Sequence, residues 1–281
     1  DHDSANTQPW NHLVQSLHWP DSLRSVQHGQ LDPRQGLNYL GFSLKATRDR
    51  GRGARNCIIP DRSQFELTMR PRSSITAESD VRVALASLWL ATTFGGIGSR
   101  SRRGFGAVRV VNTPPEGKEI PSFIFGEKSV NELQAFLKQG LVLTKEIFQQ
   151  TSGGSSPMSG ASTPEFCVLS PHHCEILLLT KQGRGWGTWH EALGELGWRF
   201  LEYRKTIKPV TTRKPFGLPI KGVHGDRNAS PLMFKPFLLQ PNSYSLLLLS
   251  FKTAEVSNSN VISTFMRNME KQYQGVKVVV P

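Results

Sequence analysis

Leu232-Met-Phe-Lys-Pro-Phe-Leu-Leu-Gln-Pro-Asn-Ser-Tyr-Ser-Leu-Leu-Leu-Leu-Ser-Phe251 is the stretch on which the fold turns. Leu232–Leu239 and Tyr244–Phe251 are apolar, strand-length runs, and the Gln-Pro-Asn-Ser turn between them makes the pair a hairpin. Working outward, Glu175–Thr180 reads as a strand, Thr188–Arg204 as a helix and Phe216–Ile220 as a strand. Beyond the hairpin, Val261–Tyr273 has helical periodicity and Val276–Val280 reads as a closing strand. Allowing one irregular insertion, this is the β-α-β-β-α-β order of a ferredoxin-like sandwich.

Towards the N-terminus, Thr151–Pro164 carries no charge and is nearly all Ser, Gly, Thr and Pro, the composition of a flexible linker. It divides the chain into a first module over 1–150 and a second over 165–281. In the first, Trp10–Val26 has apolar residues at roughly helical spacing, interrupted by Pro20. Asn38–Leu44, Phe65–Met69 and Phe105–Val111 read as strands. Ser79–Phe94 reads as a helix with Val81, Ala84, Leu85, Leu88 and Trp89 on one stripe, and Ser129–Gln149 as a helix opened by a capping serine. This β-β-α-β order is the same sandwich without its opening strand and helix. The expected class is α+β, with two ferredoxin-like modules, the first incomplete at its N-terminus.

Charge narrows the partner. The 281 residues carry a net charge of +12. Residues 45–110 hold thirteen Lys/Arg against five Asp/Glu, and twelve of those cations are arginine. The guanidinium fork pairs with phosphate and stacks on bases, which favours nucleic acid. A membrane surface would ask for a basic amphipathic helix, and these arginines lie mostly among glycines. No apolar run approaches the roughly 20 residues of a membrane span. The three cysteines, Cys57, Cys167 and Cys174, are too few and odd in number for a disulfide framework, so a reducing, cytoplasmic setting is expected. No signal sequence is evident.

The segment Gly95-Gly-Ile-Gly-Ser-Arg-Ser-Arg-Arg-Gly-Phe-Gly106 carries the chemistry. Its glycines permit positive φ and close approach to a ligand, and its backbone N–H groups can cradle an anion. The expected contacts are Gly95, Gly96, Gly98, Ser99, Arg100, Ser101, Arg102, Arg103 and Gly104. It is neither a Walker loop, lacking Gly-Lys-Ser/Thr, nor a dinucleotide fingerprint, since it follows a helix. The basic run Lys45–Arg55 adds Lys45, Arg48, Arg50, Arg52 and Arg55, and Lys214, Lys221 and Arg227 flank a second Gly-Pro-rich segment. Ordinary solvated loops remain the alternative for both.

Gly95–Val108 resembles the glycine-rich loop of the RAMP superfamily of CRISPR RNA-binding proteins. Tyr39-Leu-Gly-Phe-Ser, the helix into Phe94-Gly-Gly-Ile-Gly, Lys214-Pro-Phe-Gly-Leu-Pro-Ile and Arg227-Asn-Ala-Ser-Pro-Leu232 resemble its type III-B (Cmr) members. The resemblance implies ferredoxin-like modules and binding of guide RNA, with target RNA and other RAMP-type subunits as partners in a ribonucleoprotein. The family's usual opening strand and following helix are not seen.

Catalysis and metal find less support. Cys167, His172, His173 and Cys174 match no familiar zinc spacing. No nucleophile, base and orienting group assemble at recognisable spacing, so neither catalytic residues nor a cofactor is expected. The alternative is an RNA endonuclease using Asp49, or His172 and His173. Trp189, Leu193, Leu196 and Phe200 share helical spacing and read as core rather than as a base-stacking platform.

Overall fold

The computed structural model describes the chain apart from residues 1–6, 24–25, 28, 46–52, 59–62, 73–76, 114–118, 127–128, 152–162, 166, 218–228 and 254–259. Strand β1 (Thr7–Pro9) leads directly into helix α1 (Trp10–Ser16), and α2 (Pro33–Leu40) follows. Strand β2 (Asn56–Ile58) pairs antiparallel with β1. Helices α3 (Glu78–Thr93) and α4 (Val130–Thr151) complete the first half. The second half runs β3 (Cys174–Leu179), α5 (Trp189–Thr206), β4 (Leu232–Gln240), β5 (Ser243–Phe251), α6 (Asn260–Tyr273) and β6 (Val276–Val278).

That half forms one antiparallel sheet in the order β4-β5-β3-β6. The first strand of the unit lies between its third and fourth, the strand order of a ferredoxin-like sandwich. Both sheet faces are buried, which explains the unbroken leucine run in β5. Leu246 and Leu248 join Leu177, Leu179, Leu232 and Phe234 in a core covered by α5 and α6. Leu247 and Leu249 join Ile176, Leu178 and Val278 on the other face, against Trp89 and Phe94 at α3 and Leu133, Leu137 and Leu141 of α4. A one-residue slip of β5 would exchange the two faces.

Local signals set the helix starts. Ser129 and Glu132 form a reciprocal capping box on α4, Ser129 N donating to Glu132 Oε2 at 3.0 Å and Glu132 N to Ser129 Oγ at 3.3 Å. Thr188 Oγ1 accepts from Glu191 N at 3.2 Å to open α5. Asp32 caps α2, accepting from Arg34 N at 3.0 Å, with Pro33 as the first helical residue.

Helices α2 and α5 cross backbone to backbone. A Cβ on Gly36 would stand 1.9 Å from Gly194 O and 2.2 Å from Trp198 N, and one on Gly197 would stand 2.4 Å from Gly36 O. Three glycines therefore replace a side-chain interface, and Leu37 and Leu40 enter the α5 core alongside them.

Several strand expectations are corrected. Asn38–Leu44 is the end of α2 and a 3-10 turn at Phe42–Leu44, because Leu37, Leu40 and Leu44 follow helical spacing from the Asp32 cap. Phe216 ends a 3-10 turn over Val210–Phe216, while the rest of the expected strand, 218–220, lies outside the described residues. Residues 65–69 and 107–111 belong to no strand. Phe65, Leu67 and Met69 are exposed instead of half-buried. The α+β class holds, with the ferredoxin-like order complete in the second half. The expected linker falls largely at 152–162, outside the described residues.

Candidate nucleic-acid interface

The glycine-arginine loop leaves the C-terminus of α3 and returns beside the edge strand β4. Ile97 N donates to Gly106 O at 2.8 Å across its neck, and Arg103 N to Arg100 O at 2.8 Å closes a turn at its tip. Phe234 N donates to Arg102 O at 3.1 Å, so the loop adds a single bridge, Arg103 to Phe234, to the outer edge of β4.

Its three arginines face different ways. Arg103 points inward and is 8% exposed. Its guanidinium lies 4.9 Å from the Phe200 ring centroid and 5.3 Å from that of Phe234, and Nη2 donates to Phe216 O at 3.1 Å. Burial pushes it down to about 9. Arg102 reaches back to Ser230 O at 2.7 Å. Arg100 holds φ +68° at the tip and donates Nε to Ser43 Oγ at 2.7 Å. Arg102 and Arg103 thus hold the loop's shape, and Arg100, half-buried at the tip, is the one tied to Ser43 across it.

Neighbouring segments add to that tip. Arg55 Nη1 donates to Ser99 Oγ at 3.3 Å, and Arg55 N to Leu44 O at 3.0 Å. Lys45, next to Leu44, is half-buried, and its ammonium is pushed down by desolvation. Arg55, Ser99 and Arg100, with Ser43, therefore make one hydrogen-bonded polar cluster, and Lys45 follows Leu44 beside it. Gly98 and Ser99 are exposed within it, Gly95, Gly96 and Ser101 half-buried beside it, and Gly104 buried below. Lys214 is exposed on the 3-10 turn that supplies Phe216 O. Arg48, Arg50, Arg52, Lys221, Arg227 and Asp49 lie outside the described residues.

Sequence reasoning missed Lys235, which the structure makes the loop's anchor. It is 3% exposed, and its Nζ donates to Thr92 O and to Gly95 O, the latter at 3.2 Å. A lysine inside a strand whose neighbours are all apolar was the available signal. Burial brings it from 10.5 down to about 7. A neutral amine still has two N–H groups, enough for both carbonyls. Below about pH 7 the ammonium is present in both folded and unfolded chains, and the burial penalty stands in full. Between about 7 and 10.5 the unfolded chain binds the extra proton, so stability rises with pH across that window. Lys235→Met should flatten the rise by a few kcal/mol in urea melts at pH 7 and 10, at about 1.4 kcal/mol per pKa unit. Equal slopes for the two proteins would refute this.

Among the described residues no three His, Cys, Asp or Glu side chains converge as a metal site. His172 and His173 lie 6.4 Å apart by ring centroid, and Cys174 is buried, its thiol pushed up to about 12. Leu193, Leu196 and Phe200 are core residues, with Trp189 packed against them. No described helix is long and apolar enough to cross a membrane.

Residues 23–109, which contain α2, α3 and the loop, match the RAMP superfamily. Over 236 residues the chain is 28% identical to the CRISPR system Cmr subunit Cmr1-1 of Pyrococcus furiosus, a match covering 81% of this chain and 65% of that relative's length. The crystal structure of Cmr1 from Pyrococcus furiosus, in its apo form, shares the fold, with a TM-score of 0.52 at 21% identity. That likeness covers 91% of this chain and 75% of the other.

Proposed function

From the premise that residues 23–109 match the RAMP superfamily and that the chain is similar to subunit one of a Cmr system, we propose that it is a non-catalytic RNA-binding subunit of a type III-B CRISPR ribonucleoprotein. Its ligands in this reading are guide RNA and the guide-target duplex, its setting is the cytoplasm, and its neighbours are other RAMP-type subunits. One observation carries the RNA reading: Lys45, Arg55 and Arg100 are gathered at a glycine-built loop tip, and among the described residues none of them pairs with a carboxylate. Phosphate supplies the missing negative charge, and forked guanidiniums match its oxygens.

The partner reading is supported by exposed apolar surface. Phe65, Leu67 and Met69 are exposed in one extended segment, and Val81, Leu85 and Leu88 of α3 are half-buried. Alternating apolar residues with no ladder suit a neighbouring protein.

The test is binding of a labelled single-stranded RNA over a range of salt concentrations. Lys45→Ala/Arg55→Ala/Arg100→Ala should weaken binding with little sequence preference. It should also flatten the salt slope by about 2, at about 0.7 per single-strand phosphate contact. The RNA should remain intact with or without magnesium. Unchanged affinity and slope in the folded triple variant would refute the interface. Magnesium-dependent cleavage lost in Asp49→Ala would favour the nuclease.

A further inference from the structure

Arg204 of α5 was not singled out by the sequence, and Tyr39 of α2 entered only as the first residue of a resemblance motif, with no site role; both stand beside the loop. Arg204 Nη1 donates to Tyr39 OH at 2.6 Å. Its guanidinium lies 5.6 Å from the Phe200 ring centroid and 5.9 Å from that of Phe216. Arg103 lies over the same Phe200 ring, and its Nη1 is buried with no acceptor. Arg100 uses Nε on Ser43, and its Nη groups meet no acceptor among the described residues.

Arg103 and Arg204 share the Phe200 ring, at 4.9 and 5.6 Å from its centroid, and burial pushes both Arg100 and Arg103 down. Among the described residues none of the three pairs with a carboxylate. A partly desolvated cluster of like charges is costly unless an anion joins it. The stacked rings fix two of the guanidinium planes, so an arriving anion finds its donors already oriented. Arg204 and Tyr39 are each half-buried, so neither is sealed from solvent.

We propose that Arg204, held by Tyr39, is a phosphate-binding residue that carries the RNA interface from the loop onto α2 and α5. One phosphodiester of a bound single strand then sits beside Tyr39, within reach of Arg204 and Arg100. This rests on the RNA-binding reading of the loop. It adds a contact from the second half of the chain to a site otherwise built from the first.

The experiment is fluorescence anisotropy of the full chain with a labelled single-stranded RNA over several salt concentrations, with a neutral-backbone morpholino of the same sequence as control. Arg204→Gln should weaken RNA binding about tenfold, the loss of one charged hydrogen-bonding contact, and flatten the salt slope by about 0.7. Tyr39→Phe keeps the charge and should keep the slope. The morpholino should not bind. A folded Arg204→Gln variant with wild-type affinity and slope overturns the inference while the loop reading stands. Failure of the wild-type chain to bind RNA overturns both. Should the glutamine variant not fold, Arg204→Lys reads the same contact. A point charge without the fork should keep the slope and lose several-fold in affinity, and unchanged affinity there would also overturn the proposal.

Discussion

Gly36→Ala is expected to destabilise the protein by more than about 3 kcal/mol, above the usual range for overpacking. Ordinary overpacking is relieved by side-chain movement. Here the added methyl group would stand 1.9 Å from Gly194 O and 2.2 Å from Trp198 N, both backbone atoms of α5. Relief requires α2 to lift off α5, which withdraws Leu37 and Leu40 from the core they share with Leu193, Leu196 and Phe200. Gly53→Ala is the matched control, since nothing lies within 4 Å of a Cβ there. Urea unfolding of both variants decides the matter. A Gly36→Ala midpoint equal to that of Gly53→Ala would show that the crossing is looser than its geometry.

The second large effect is expected on binding. Gly106 has φ +73°, and a Cβ there would stand 1.8 Å from Ile97 O, directly across the loop's neck. Alanine therefore breaks the Ile97–Gly106 pairing and splays the tip that carries Ser99 and Arg100. RNA affinity should fall by about tenfold or more if two charged contacts are misplaced, while the sheet core, touched only through Phe105 beside the neck, keeps most of its stability. Gly98→Ala separates backbone strain from collision. Its φ is +89° with nothing within 4 Å, so it carries the left-handed penalty of about 1–2 kcal/mol alone. Wild-type RNA affinity in a folded Gly106→Ala protein would mean that the neck does not shape the site.

The second half was legible because its signals are local and agree. Turn chemistry, strand length and helical period all pointed to one order, while the pairing of Gln240 with Ser243 and the register shift at Leu238–Gln240 were not legible. The first half was harder because its packing partners lie far away in sequence. Asn38–Leu44 alternates well enough to pass for a strand, yet Asp32-Pro33 is a helix start that outweighs it. Phe65–Met69 alternates correctly for a strand, but alternation does not supply a neighbour to pair with. In the loop, composition identified the segment but not its facing. Whether an arginine turns outward to a ligand or inward to Phe200 depends on rings some 100 residues later in the chain. The pairing of Tyr39 with Arg204 was unreadable for the same reason, being made across the α2–α5 crossing.

The bridge between Arg103 and Phe234 also gives the sheet a direction. Its two margins are unequal. The β4 margin is occupied by the loop at Arg103 and pinned by Lys235. The β6 margin is a strand of three residues followed by the exposed Val279. A foreign strand approaching β4 meets the loop at Phe234, whose N–H is already taken by Arg102 O, and one approaching β6 finds a row about 10 Å long. Growth by strand addition is thus obstructed at Phe234 on one side and brief on the other. The same residues that shape the loop thus stand as an obstacle to edge-to-edge pairing along β4.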